Sequence, residues 1–391
     1  MRTQVGIVGA GPAGLLLSHL LHQRGVESVV VDLQTRETIE QTIRAGILEQ
    51  GTVDLLRQTG LGDRMMRDGF VHHGITLAFS GGLHRINLYE LTGGRAVMVY
   101  AQHEVLIDLI AKRLADDGDI RFGVSNTQVE GVDTDQPTIR FIHNDQPETL
   151  ECDFVVGADG SRTYTRYLIP EGEVRTDFFR QYPFAWFGIL ADAPPSSDEL
   201  IYAHSERGFV LISTRSPSVQ RLYFQCDPET DVDDWSHDRI WEEFQARLSP
   251  SGVTPKTGRI FKKDVLQFRS FVCEPMQYGR LYLAGDAAHT VPPTGAKGLN
   301  LAAADVHVLD RALGAYYETK DAGLLDSYTE TALRRVWRGQ WFSFWMTSML
   351  HRFTEATDFD LRRQIAELEL VTSSPSAAKN LADNYAGLPF E

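Results

Sequence analysis

Gln4-Val5-Gly6-Ile7-Val8-Gly9-Ala10-Gly11-Pro12-Ala13-Gly14 is a short apolar run that breaks into three glycines spaced Gly-x-Gly-x-x-Gly. The run predicts a buried strand. Leu15, Leu16, Leu17, Leu20 and Leu21 then predict a helix, stopped by Gly25. Ser28-Val29-Val30-Val31 predicts a second strand that ends on Asp32. Each residue has its own reason: Gly9 permits the turn, Gly11 lets backbone approach a pyrophosphate, and Gly14 lets helix and strand pack closely. Asp32 can accept hydrogen bonds from a ribose. Three glycines alone are a weak signal, and a chance glycine-rich turn is the competing reading. Strand, turn, helix, second strand and acid in this order point to a dinucleotide-binding unit.

Composition narrows what the rest can be. With 391 residues, 42% hydrophobic and 23% charged, the chain has the make-up of a soluble globular protein of one large or two smaller domains. A net charge of -15 speaks against nucleic acid, which needs clustered Lys and Arg, and against an anionic membrane surface. Cys152, Cys226 and Cys273 are odd in number and widely spaced. They build neither a disulfide framework nor a zinc site, so no metal is expected and a reducing cytoplasm is the expected compartment. No signal peptide and no membrane-spanning run is recognisable.

A second ligand-binding turn stands far downstream. Leu281-Tyr282-Leu283-Ala284 predicts a strand, followed by Gly285-Asp286-Ala287-Ala288-His289-Thr290-Val291-Pro292-Pro293-Thr294-Gly295-Ala296-Lys297-Gly298 and then the helix start Leu299-Asn300. A carboxylate at a strand end and amides at a helix start can together bind a polyol and an electron-rich ring. The paired prolines remove donors and leave carbonyls free to accept. Between these turns, Arg44 can bridge to a phosphate, although a solvated ion pair is the more ordinary fate of one Arg. Gln102 precedes a helix carrying Val105, Leu106, Leu109 and Ile110, and Asp159-Gly160 ends another strand. Taken alone, that pair reads as a turn.

Residues 183–273 change character, alternating apolar and polar positions between Pro-, Ser- and Asp-containing turns, which predicts an antiparallel sheet. Period-two counting places Phe184, Trp186, Gly188 and Leu190 on one face, and Leu200, Tyr202 and His204 on another. It likewise groups Leu211, Ser213 and Arg215, and Arg221, Tyr223 and Gln225. If these faces converge, they suit a flat ring bearing a carboxylate, with an Arg fork pairing the carboxylate. The alternative is a sheet whose polar residues face solvent. Beyond Asn300 the chain reads as helical. Trp337, Trp341 and Trp345 mark a buried helix face or a subunit interface, followed by a helix over 359–371 and a short tail over 384–389.

In order, Gly9-x-Gly11-x-x-Gly14, Asp159-Gly160 and Gly285-Asp286 resemble the class A flavoprotein aromatic hydroxylases. The likeness runs end to end. It is closest to the branch that acts on 4-hydroxybenzoate, through Arg44-Ala45-Gly46, Glu199-Leu200-Ile201-Tyr202-Ala203, Arg269-Ser270-Phe271, residues 285–300 and Asn384-Tyr385. The resemblance implies an α/β fold (α+β overall): a Rossmann-like FAD-binding lobe interleaved with an antiparallel substrate sheet, plus C-terminal helices. The expected divisions are 1–175, 176–273 and 274–391.

It further implies that Gly9, Gly11, Gly14 and Asp32 hold the ADP half of FAD, with Arg44, Gln102 and Asp159 close by. Asp286 would hold the ribityl chain, and Leu299 and Asn300 would lie beside the isoalloxazine. Ser213, Arg215 and Tyr223 would bind the substrate carboxylate, while Trp186, Leu200, Leu211 and Ile47 line the pocket. Tyr202 and the Pro293 carbonyl would receive the phenol, and Tyr385 and His72 would carry its proton to solvent. Arg221 would influence flavin position. In this family a pyridine nucleotide reduces FAD, and a C4a-hydroperoxide formed with dioxygen (O2) attacks the ring carbon ortho to the phenol. From 4-hydroxybenzoate the product is 3,4-dihydroxybenzoate.

NADPH-specific members are expected to carry an Arg just after the acid. Here the segment reads Leu33-Gln34-Thr35-Arg36-Glu37-Thr38-Ile39-Glu40, which compensates a 2′-phosphate poorly, so NADH or both nucleotides are expected. Arg162 and Arg269 are the candidate nucleotide contacts, and a homodimer is the expected assembly. A flavin-dependent halogenase or reductase and a non-catalytic flavin-binding module are the competing readings, and among hydroxylases another hydroxy- or aminobenzoate is the alternative substrate. The first expects a Trp-x-Trp-x-Ile motif, whereas here the spacing is Trp341-x-x-x-Trp345. The second leaves Ser213, Arg215, Tyr202, Tyr223, Tyr385 and His72 without a role.

Overall fold

The computed structural model describes residues 1–44 and 46–390. Arg2–Val8 is the central strand of the first sheet, flanked in parallel by Ser28–Asp32 on one side and Gln146–Gly157 on the other. Asp119–Phe122 and Leu281–Leu283 extend it at the two ends, also in parallel, and Gln277–Tyr278 closes the latter edge antiparallel. The centre of the sheet is apolar, at Val5, Ile7, Val8 and Val29 to Val31, because it is buried in one core with the helices and with Ile139 and Phe141 of the strand Thr138–His143. Pro12–Gln23 packs against Gln102–Ala115 and against the long helix Gly298–Thr319. Chain ends of three parallel strands thus meet where Gly9, Asp159 and Gly285 turn.

The second sheet runs His289–Thr290, Arg259–Glu274, Thr176–Asp192, Val219–Cys226, Val210–Ser216, Leu200–Ala203, Gly74–Phe79 and Gly82–Asn87. All neighbours are antiparallel except Leu200–Ala203 against Gly74–Phe79. Strands before residue 90 and after residue 288 therefore join a sheet built mainly from 176–274. A small third sheet, Ile47–Leu48, Val97–Val99 and Phe70–His72, comes from the chain between the first-sheet strands Ser28–Asp32 and Asp119–Phe122. Among the described residues, no helix is long and apolar enough to cross a membrane.

Three local readings differ from expectation. The tail over 384–389 is only partly a tail: Pro375–Tyr385 is a helix, with Pro375 opening it and the Ser374 hydroxyl accepting from Ala377 N. Its polar composition hid it, although Ser followed by Pro is a helix-start signal. The tryptophan stripe lies on the helix Tyr328–Leu350, but Trp337 is 41% and Trp341 48% exposed, so this is not a buried face. The strand expected from Pro183 begins earlier, at Thr176, and Pro183 falls within a register shift where no ladder donor is needed.

The first turn shows why its glycines cannot be replaced. Gly9 has φ +112, and a Cβ on Gly14 would overlap the Gly9 carbonyl oxygen and press on Ile7. Gly14→Ala is expected to destabilise the chain by about 1–3 kcal/mol through this overpacking, read as a lower urea midpoint without cofactor. An unchanged midpoint would show that the helix does not need so close an approach.

Candidate functional site

Asp32 is committed to the glycine turn. Its carboxylate accepts from Ala10 N at 2.6 Å and Gln34 N at 2.7 Å, leaving its remaining lone pairs for a ligand. Burial raises its pKa, and the two backbone donors hold the rise in check. No side chain caps the helix Pro12–Gln23 or the helix Gly298–Thr319. At Gly11 the nearest atom to a hypothetical Cβ is 3.9 Å away, and at Gly298 nothing lies within 4 Å. Two uncapped helix starts with bare backbone facing open space fit the phosphates and ring of a dinucleotide.

The other flavin-side candidates divide by how far protein contacts already occupy them. Asp286 is partly buried, and burial raises its pKa against the opposing pull of His289, Arg44 and Arg269. Asp159 is fully engaged in its own loop, accepting from the Thr163 and Thr165 hydroxyls and from Tyr164 N and Thr165 N. Asn300 is equally occupied: Oδ1 accepts from Glu49 N and Thr52 Oγ1, and Nδ2 donates to Ile47 O and Ala296 O. Both side chains shape the loops around the site, and any contact from Asn300 to a ring must come through its backbone. Leu299 and Gln102 are half-buried at their helix starts, while Arg44, Arg162 and Arg269 are exposed.

On the sheet side the register does the assembling. Tyr202 pairs with Leu211, Leu211 with Tyr223, and Tyr223 with Gly188, one row across four strands. The next row is Ser213, Arg221 and Leu190. Trp186, Leu200, Tyr202, Leu211, Tyr223 and Tyr385 share one buried cluster, with Ile47 packed against it. Gly188 is required by the row, since a Cβ there would stand 2.8 Å from the Tyr223 ring.

At one end of this face, Arg215 is half-buried beside Tyr223, and among the described residues no carboxylate lies within ion-pair distance of it. Its Nε is buried without a hydrogen-bond partner, and burial lowers its pKa. A buried guanidinium lacking an acid is the arrangement that an incoming carboxylate would complete. Arg221, by contrast, is paired with Asp264 at 2.9 Å. Ser213 donates to Arg221 O, so its oxygen can only accept further.

At the other end, the Tyr202 and Tyr385 hydroxyls lie 2.6 Å apart, both buried. Burial raises both pKa values, so the pair stays protonated at neutral pH and can pass a proton only along the hydrogen bond. His72 is buried with Nδ1 unpartnered, and no direct hydrogen bond joins it to Tyr385 among the described residues. The Pro293 carbonyl accepts from Ala296 N at 3.0 Å and keeps one lone pair.

Comparisons with known proteins show the family of the chain. The family model described as the FAD binding domain matches residues 2–342. A p-hydroxybenzoate hydroxylase of Acinetobacter baylyi is 44% identical over 100% of this chain and 96% of its own length. The chain belongs to the FAD-dependent aromatic hydroxylases. A 3-(3-hydroxy-phenyl)propionate/3-hydroxycinnamic acid hydroxylase of Paraburkholderia xenovorans is 24% identical over 83% of this chain, which spans 52% of that relative. The solved p-nitrophenol 4-monooxygenase of Pseudomonas putida shares the fold, with TM-score 0.83 and 19% identity over 99% of both chains.

This hydroxylase also holds buried groups that its sequence did not announce. Lys297 donates to Glu49 at 2.6 Å and to Asn384 O, and burial lowers its pKa. His289 and Gly285 N both bond one Asp305 oxygen, at 2.6 and 2.9 Å. Burial would lower the His289 pKa, but Asp305 and Asp286 turn the shift upward. Arg166 donates to Ala287 O and lies over the Phe271 ring at 4.1 Å. Lys297, His289 and Asp305 stand within or just after the 285–300 stretch, so the turn itself was the available signal. Arg166 had none.

His72, His204 and His351 all have pKa values lowered by burial, His351 to about 3. A base with a lowered folded pKa binds fewer protons folded than unfolded. Its stability contribution is complete above the unfolded value near 6.5 and is lost as pH falls towards the folded value. Stability is therefore expected to decline from about pH 6.5 towards pH 4, with His351→Gln declining less, compared by urea midpoints. Equal declines would mean that His351 is protonated in the fold.

Proposed function

We propose that the chain is a 4-hydroxybenzoate 3-monooxygenase, converting 4-hydroxybenzoate to 3,4-dihydroxybenzoate with FAD, O2 and NADH or NADPH. The observation that carries the reading is the pairing of two features on one aromatic-walled face: the Arg215 guanidinium, without an acid among the described residues, and the buried Tyr202–Tyr385 hydrogen bond. The name of the 44% identical relative supports the same substrate. Bound FAD supplies the redox chemistry and the activation of O2. The chain supplies the rest. Gly9, Gly11, Gly14, Asp32, Arg44, Gln102 and Asp286 hold the cofactor, with Asp159, Leu299 and Asn300 shaping its surroundings.

Arg215, Ser213 and Tyr223 hold the carboxylate and thereby set the ring's reach into the pocket. The phenol meets Tyr202 and the Pro293 carbonyl. Its proton passes to Tyr202 as Tyr202 passes its own to Tyr385, and His72 receives it through an intervening water, since no direct bond spans the gap. Losing that proton enriches the ortho carbon and makes it a better nucleophile. Trp186, Leu200 and Leu211 exclude water from the ring. We assign 1–175 and 274–391 to the cofactor lobe and 176–273 to the substrate lobe. A cytoplasmic setting is consistent with three free cysteines and is tested by cell fractionation.

Arg36 is tied to Glu40 at 2.6 Å, which leaves little to compensate a 2′-phosphate. NADH is therefore favoured or used equally, with Arg162 and Arg269 as contacts. Purified protein should show a flavin spectrum, oxidise NADH faster when 4-hydroxybenzoate is present, and form 3,4-dihydroxybenzoate. Arg215→Gln should weaken substrate binding roughly 10–150-fold, the worth of a hydrogen bond to a charged group. Tyr202→Phe should bind substrate nearly normally but lower hydroxylation relative to peroxide release by about tenfold or more. Oxidation indifferent to every benzoate would sink the reading, and strong NADPH preference would sink the nucleotide assignment.

A homodimer is the assembly we infer. Phe178, Phe179, Trp337, Trp341 and Phe344 form an exposed aromatic patch around a cavity of about 320 Å³. So much contiguous aromatic surface suits burial against a second copy. Sedimentation should give twice the chain mass, and Trp341→Arg should shift it to the monomer. A wild-type monomer at micromolar concentration would refute this.

A further inference from the structure

The helix Tyr328–Leu350 ends at His351, whose imidazole lies among the aromatic rings of that face. His351 Nε2 accepts from Trp186 Nε1–H at 2.7 Å, and Nδ1 donates to Thr347 O at 3.0 Å. The assignment follows from the partners. An indole N–H can only donate and a carbonyl can only accept, so Nε2 must be bare and Nδ1 must carry the hydrogen. Both rings are buried, with His351 at 0% and Trp186 at 2% exposure. The imidazole is also held flat, stacked on Phe184 at 4.8 Å and 8° and on Phe209 at 4.3 Å. From the outside, Gln364 Nε2 donates to His351 O at 2.8 Å, which fixes the backbone.

The consequence reaches the pocket. Trp186 lies 4.7 Å from the Tyr223 ring, and Tyr223 stands beside Arg215. A buried indole must find an acceptor, and where that acceptor sits decides the plane of the ring. We propose that His351 is a positioning residue for substrate: by accepting from Trp186 it holds the indole against Tyr223 and so sets the width of the slot in which the benzoate ring lies. This rests on the reading of Arg215, Ser213 and Tyr223 as the carboxylate site. The competing account is a core histidine that only ends its helix, and the two differ in what a variant changes.

The test compares His351→Gln and His351→Leu in the FAD-bound enzyme. Glutamine can accept from the indole and donate to Thr347, while leucine fills similar space and does neither. His351→Leu should raise Kd and KM for 4-hydroxybenzoate about tenfold, the cost of one unmet buried donor. FAD affinity should stay unchanged and the tryptophan emission should shift. His351→Gln should bind substrate close to normally. Normal substrate binding by folded His351→Leu overturns the proposal, as does equal impairment of both variants.

Should His351→Leu fail to fold, Trp186→Phe takes its place. In that background no indole donor is left unmet, so His351→Leu should fold and cost nothing further, and an additional loss of substrate affinity overturns the proposal. Arg215→Gln is measured alongside. If it binds benzoate normally, the underlying site reading has failed; if it is weakened while His351→Leu is not, only the present proposal falls.

Discussion

The row Tyr202, Leu211, Tyr223 and Gly188 is held by main-chain pairing across four strands, and a slip of one residue on any of them would dismantle it. Such a slip turns every side chain of that strand to the other face. The phenol end and the carboxylate end of the face would then part, since Tyr202 and Tyr223 belong to different strands. Gly188 is the point at which the row constrains composition most tightly, because only hydrogen leaves room for the Tyr223 ring. Packing on the far side adds to the register: Phe187, Phe224 and Phe244 form a separate core that anchors the same strands from behind.

Within the cofactor lobe, polar groups join segments that are distant in the chain. Asn300 bonds residues 47, 49 and 52 at once, and Lys297 reaches Glu49 and Asn384. The C-terminal segment is drawn in the same way, with Ala386 O accepting from Gln50 N and Leu388 O from Arg335. Tyr385 stands at the head of that segment, so the same contacts that close the cofactor lobe also present a tyrosine to Tyr202. Buried charges in such a junction are costly unless paired, and here Glu49 sits between Lys297 and Arg335.

Much of this could be read from the chain. The first glycine turn, the helix after it and the acid that follows are local, and each residue there is explained by its neighbours within about one supersecondary unit. The alternation of the sheet strands was equally plain, because period two is a property of one strand. Trp337 and Trp341 were harder, since spacing shows which residues share a helix face but not whether anything covers that face. Asn384 and Tyr385 were placed in a tail because Pro375–Tyr385 is polar and short, and such a helix forms through docking rather than through its own propensity.

Sequence by itself determined the periodicities, the turns and the resemblance, and with them the lobe that takes FAD. It could name Tyr202, Arg215, His72 and Tyr385, but it could not say which were still available to a ligand. Only the tertiary structure decided that Asp159 and Asn300 spend their side chains on their own loops, and that among the described residues Arg215 has no acid and no direct bond joins His72 to Tyr385. It alone brought His351 to Trp186, 165 positions apart. The physical reason is common to all of these. A side chain's residual hydrogen-bonding capacity is what remains after its long-range partners are met, and those partners are set by packing rather than by neighbours in the chain.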